Sequence, residues 1–127
     1  MITWSDLQSP DRRMYRSLIV QSRYSQRLVE LQSIGLSSEE YIRQHVLLDH
    51  NLVLIRNEFP YDVSPTIEHW VLWVAPPIEL LLDAARELVL EVFGISSEDL
   101  IIFENSFREK SVPGLLHYHV FVRTSVS

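Results

Sequence analysis

Cysteine is missing from these 127 residues. Its absence removes a disulfide framework, a thiolate nucleophile and any Cys-based zinc or iron–sulfur site. It also suits a reducing compartment, the cytoplasm or nucleus. Glycine is scarce, at three residues, and neither a P-loop nor a GxGxxG phosphate cradle occurs. The GxSxG elbow of serine hydrolases and a helical HExxH are absent as well. No motif implies a cofactor. Lysine occurs once, as Lys110, beside ten arginines. No apolar run reaches the roughly 20 residues of a membrane span, and the opening MITWSDLQSP has no signal-peptide core. The expectation is an intracellular chain without a membrane span.

What is present is an ordinary globular composition, 46% hydrophobic and 22% charged. The length fits a single domain over 1–127, with a helical segment at 1–50 and a sheet-and-helix core at 51–127. The net charge of −6 is uneven. Residues 1–56 hold seven arginines against six carboxylates, whereas 57–127 hold four cations against eleven. An acidic chain is a poor general binder of nucleic acid, so any basic surface has to be local.

Between Pro10 and Gly35 there is neither Gly nor Pro. The spacing predicts one helix over 10–34, with Met14, Leu18, Tyr24, Leu28 and Val29 on its apolar side. The same winding gathers Arg12, Arg16, Arg23 and Arg27 on the opposite side. That face reads either as a docking surface for an acidic partner or as a solvated helix face. Gly35 supplies a helix stop, and Ser37 with Glu40 forms a capping box ahead of a second helix, Tyr41 to His50. GLSSEEYI at 35–42 returns as GISSEDLI at 94–101, with unmatched flanks, which reads as shared stop-and-start punctuation.

From residue 51 the texture changes. NLVLIRN and TIEHWVLWV predict strands on either side of the turn-rich FPYDVSP. A third helix is expected over 78–93, burying Leu81, Ala84, Ala85, Leu88 and Val92 and closed by Gly94. LIIFEN and LLHYHVFVR predict two further strands. The whole is an α+β domain with an antiparallel sheet, a long flanking helix and an N-terminal helical pair.

Three of five histidines fall in predicted strands. Period-two alternation puts Leu115, His117, His119, Phe121 and Arg123 on one face, and Leu116, Tyr118, Val120 and Val122 on a clean core face. A His-x-His strand with His69 nearby suits phosphoryl chemistry, in which one imidazole attacks phosphorus and its neighbour orients or protonates. It also suits a zinc site, or histidines simply hydrogen-bonded in a half-buried sheet. Arg123 shares that face, where it can hold a phosphate or pair with a carboxylate. His45 and His50 are spaced for the surface rather than as a ligand pair.

Asn57-Glu-Phe-Pro-Tyr61, then IEHWVLW, a helix and FENSFREKSVPGLLHYHVFVR resemble a fungal family of unknown function, the N-acetylglucosamine-induced proteins, with relatives in large DNA viruses. The same order is similar to the histidine-triad superfamily of nucleotide hydrolases and transferases. By that resemblance Asn57, Pro60, His69, Asn105, Ser111, His117 and His119 occupy matching positions. The resemblance implies a half-barrel sheet, often dimerised, and attack by the central imidazole on an α-phosphate. Two registers fit, one with His119 as nucleophile between His117 and Phe121; in the preferred one His117 is the nucleophile, His119 its positioning or protonating neighbour, and His69, Asn105 and Ser111 hold phosphate. The pattern departs at Leu115, where the first histidine of the triad would stand, and at Lys110, where Gln is usual. The functional expectation is a nucleotide or phosphate-ester site with a degenerate triad and no metal. Its rival is a non-catalytic protein that docks a partner through Arg12, Arg16, Arg23 and Arg27.

Overall fold

In a computed structural model, residues 1–105 and 114–124 are described. The strands are β1 (Leu52–Arg56), β2 (Ile67–Val74), β3 (Leu100–Phe103) and β4 (Leu116–Arg123). They form one antiparallel sheet in the order β1-β2-β4-β3. The two eight-residue strands are therefore central, paired from Ile67↔Arg123 to Val74↔Leu116. Both faces of β2 and β4 are covered, which is why both read as nearly unbroken apolar and aromatic runs.

Helix α4 (Leu82–Phe93) covers one face, burying Ala85 and Val89 against Leu72, Val74, Ile102, Val120 and Val122. It starts four residues later than the apolar pattern predicts. The Tyr118 hydroxyl of β4 donates to Leu80 O at 2.6 Å, holding that carbonyl outside any helix, and Leu81 is extended. The inward stripe rotates accordingly. Leu81 and Val92 lie in solvent, Ala84 is exposed and Leu88 only half-buried. Gly94 ends the helix at φ 62°, a left-handed conformation that a side chain disfavours.

The other face, which carries the histidines, is covered by the N-terminal segment: α1 (Trp4–Gln8), α2 (Leu18–Ser33), α3 (Ser38–Ile42) and a π-helical turn, Arg43–Leu47. Helix α2 begins at Leu18, capped by Ser17, and not at residue 10. Tertiary contacts keep residues 10–17 out of the helix. Tyr15 O accepts from Asp62 N at 2.8 Å, Arg16 donates to Phe59 O at 2.9 Å, and the Arg12 guanidinium lies 3.7 Å over the Phe103 ring. The predicted inward face of α2 is shifted: Tyr24 and Leu28 line the sheet-side cavity and Arg23 is exposed, as expected, but other positions differ. Leu18 (90% exposed) and Val29 face solvent, while Arg27 and Leu31 turn inward. Helix propensity sees neither the aromatic rings nor the carbonyls that attract these arginines.

The capping box of Ser37 and Glu40 is present, but the helix after it stops at Ile42 and continues as the π-helical turn. The two similar octapeptides share their punctuation: Gly35 and Gly94 are both left-handed, and Ser37 and Ser96 then stand at the N-caps of α3 and of a 3₁₀ turn. Among the described residues no helix is long and apolar enough to cross a membrane.

Two substitutions separate packing from backbone conformation. Phe121 is fully buried, so Phe121→Ala is expected to lower unfolding free energy by about 3–5 kcal/mol in urea titration. At Gly94 a new Cβ meets open space, so Gly94→Ala is expected to cost only the strain of its positive φ, about 1–2 kcal/mol.

Candidate functional site

Neighbouring strands bring three imidazoles into a row. His69 of β2 sits opposite Phe121 of β4, and their rings stack at 4.4 Å. One diagonal step away, His69 Nε2 lies 2.9 Å from His119 Nδ1. His117, two residues further along β4, meets His119 edge to face at 5.6 Å between ring centroids. All three are buried, at 3–5% exposure.

Each ring is held differently. His69 Nδ1 accepts from the backbone N–H of Tyr61 at 3.1 Å, and the Tyr61 ring stacks on His69 at 4.9 Å. Asn57 positions that loop by accepting from Phe59 N at 2.8 Å, while its Nδ2 lies 3.3 Å from His69 Nε2. His119 Nε2 lies 3.0 Å from Asn105 Nδ2, which is 2.9 Å from the Tyr61 hydroxyl. His117 packs against Trp73 at 4.6 Å, and its Nδ1 lies 3.0 Å from Leu115 O. A carbonyl only accepts, so the proton of neutral His117 is on Nδ1 and the lone pair on Nε2.

Burial is the largest influence on both inner rings. It holds His69 well below the usual imidazole range, reinforced by His119 and Arg16. It pushes His119 down to about 3, with His117 and Arg16 adding to the shift. The inner pair is therefore neutral at physiological pH. Among the described residues no group of three or more His, Asp or Glu side chains is arranged to hold a metal. His69 and His119 direct nitrogens at each other, not at a shared point.

Above His117 and His119 lies a cavity of about 150 Å³ between the sheet and the N-terminal layer. Leu28, Leu31, Ile42, Val71 and Trp73 make it largely apolar, and Arg16, Arg27, Arg56 and Glu58 also line it. Arg27 is paired bidentately with Glu58. Arg16 donates to Phe59 O and lies over the rings of Tyr24 and Tyr61, at 4.2 and 5.3 Å. Among the described residues Arg16 has no carboxylate partner. It is the uncompensated charge of the cavity.

The structure thus merges parts of two groups that the sequence keeps apart. Arg16 and Arg27 join His117 and His119 at one cavity. Arg12 is spent on Phe103 and Leu7 O, and Arg23 stands exposed on α2. Arg123 is not brought to the cavity: it pairs with Asp99 at 3.0 Å, and its guanidinium lies over Trp4. His69, at the inner end of the row, and Asn105 do not line this cavity, and Ser111 falls outside the described residues. His45 and His50 are exposed, as their spacing predicts. Tyr61 was missed. It sits in a run that reads only as turn, and the signal that could have marked it is a lone aromatic between two prolines.

The neutral pair makes stability pH-dependent. Unfolded imidazoles take up protons near 6.5, whereas native His119 does so only near 3 and native His69 well below its ordinary value. Within that window the unfolded state binds more protons, so stability falls as pH falls, by up to about 1.4 kcal/mol per pH unit for each ring. Urea titrations at descending pH should show this slope, and His119→Gln should reduce it.

No match is found among curated proteins. A solved structure described as "Crystal Structure of HTC1" has the same fold, with a TM-score of 0.70 over 98% of this chain and 86% of that one. Its 22% sequence identity limits that likeness to the fold. The profile of a family described as protein of unknown function (DUF3605) matches residues 13–123, from the arginine-bearing segment before α2 to the end of β4, and the chain belongs to that family.

Proposed function

We propose that this protein binds a phosphate-bearing small molecule, a nucleotide or related phosphate ester, in the cavity over β4, with His117 as its reactive imidazole. The observation that carries this reading is the convergence of an uncompensated Arg16 and an Nδ1-protonated His117 on one largely apolar cavity. The guanidinium attracts an anion, and the apolar wall with Tyr24, Tyr41 and Trp73 suits an aromatic base or similar group. A cavity of about 150 Å³ takes the phosphate end of such a ligand, and the remainder projects through the mouth.

The histidine-triad resemblance supplies the chemistry. The lone pair on His117 Nε2 forms a bond to phosphorus while the bond to the leaving oxygen breaks, and that oxygen departs with the electron pair and takes a proton from solvent water. A second water then displaces the imidazole, forming a new P–O bond, returning a proton to solvent and restoring His117. The Leu115 carbonyl stabilises the Nδ1–H as positive charge develops on the ring. Arg16 offsets the negative charge of the phosphoryl oxygens. The rival docking role is less well supported, since Arg12, Arg16 and Arg27 all contact the chain's own rings and carbonyls.

Thermal melting against mono- and dinucleotides, sugar nucleotides and inorganic phosphate tests the reading. A ligand at 100 times its Kd adds about 2.7 kcal/mol, a shift of several degrees for a chain of this size. The shift is expected to vanish in His117→Ala and shrink at least tenfold in affinity for Arg16→Gln, each measured against its own unliganded melting point. Arg23→Glu should leave it intact. A shift that survives His117→Ala unchanged would sink the proposal.

A further inference from the structure

The proton pattern of the histidine row follows from one backbone amide. Tyr61 N–H donates to His69 Nδ1, so that nitrogen carries a lone pair and the proton of neutral His69 is on Nε2. His69 Nε2–H then donates to His119 Nδ1, and the proton of His119 is left on Nε2. Reversing the central bond would leave both His69 nitrogens as acceptors. That requires an imidazolate, a charged form that burial strongly disfavours.

His119 Nε2–H faces the Asn105 amide at 3.0 Å and needs an acceptor there, yet Nδ2 is the atom within reach. A half-turn of the amide exchanges its nitrogen and oxygen in place. Oδ1 then accepts from both His119 Nε2–H and the Tyr61 hydroxyl; Asn57 Nδ2, held 3.3 Å from His69 Nε2 by the bond from Phe59 N to its Oδ1, makes no hydrogen bond to that ring. The circuit opens on the Tyr61 backbone and closes on the Tyr61 side chain.

We propose that Tyr61 and Asn105 are positioning residues that fix the direction of this hydrogen-bond circuit. His119 thereby turns its one proton toward Asn105, away from the cavity, and His117 is left as the imidazole that exchanges protons with a bound ligand. The last step rests on the reading of the cavity as a phosphate site; the direction of the circuit does not. Among the described residues, the charged and titratable groups around the row are Arg16 ahead of α2, Tyr24 and Arg27 on α2, Tyr41 on α3, Arg56 at the end of β1, Glu58 just after it and Tyr61 in the loop that follows. Arg16 adds positive charge beside the inner pair, which disfavours a second proton on either ring.

Side-chain ¹⁵N–¹H correlation spectra of the full chain, labelled at histidine, read the circuit directly. Wild type is expected to show protonated Nε2 and bare Nδ1 at both His69 and His119, unchanged from about pH 8 to about pH 5, the range in which an ordinary imidazole titrates. Asn105→Asp, which can only accept, should preserve the single Nε2–H form of His119. Asn105→Leu, which offers nothing, should replace it with a mixture. An Nδ1–H signal from His119 in wild type, or its appearance in Asn105→Asp, overturns the proposal. If Asn105→Leu does not fold, wild type and Asn105→Asp still decide. Adenosine monophosphate and inorganic phosphate are then titrated, with the shift of the His117 nitrogens as readout. The expected circuit without any response at His117 would retain the positioning residues and remove the cavity reading. A response at His117 over a reversed circuit would do the opposite.

Discussion

Between β2 and β4, two ring nitrogens lie 2.9 Å apart with room for one proton. Much of the molecule is arranged around that bond. It joins the two central strands through side chains, at a depth where an unpartnered polar group costs about 1–3 kcal/mol. It is tolerable only because both rings are neutral and their other nitrogens also have partners. The loop from Asn57 to Tyr61 is bent to supply one of them, and Asn105, just beyond β3, supplies the other. Ile2 pairs with Val63 and Tyr15 accepts from Asp62, both just after that loop, so the N-terminal segment is tied down next to the residues that serve the histidines.

The sheet consequently has two unlike sides. Toward α4 it presents mostly aliphatic side chains, with Trp70 edge-on to Phe93 and the Tyr118 hydroxyl satisfied by Leu80 O. Toward the N-terminal layer it presents histidines, Trp73, Phe103 and Phe121, with guanidinium groups over several surrounding rings. Arginine is well suited there. Its planar cation stacks on aromatic faces and loses less hydration than an ammonium would, which gives the near absence of lysine a structural meaning.

These differences mark what could be read from sequence. Alternation along LHYHVFVR is local, so the division of His117, His119 and Phe121 from Tyr118, Val120 and Val122 was legible and holds in the structure. The start of α2 was not legible, because the forces that displace it are contacts with Phe59, Phe103 and Asp62, dozens of residues away. A helical wheel drawn from residue 10 then carried Arg12 and Arg16 onto a helix they do not belong to. The phase of α4 failed in part: the four leading residues counted as helical lie outside it, and Ala85 is buried with Val89 instead of with Leu81 and Val92. His69 was legible from its strand and Asn105 through resemblance, but the bond that orders them depends on Tyr61, whose position relative to two strands no local pattern encodes.

Strand β4 lies at the centre of the sheet yet is the last of the four to leave the ribosome. Until it is made, β2 has no partner on one side, β3 has none at all, and the row of imidazoles is incomplete. During synthesis the chain therefore exposes one edge of β2, the whole of β3 and part of the apolar face of α4. A nascent chain that stalls before residue 116 has a ready-made edge for aggregation. The pairings of β2 and β3 with β4 close the sheet only once β4 is in place, whereas β1 and β2 can pair without it.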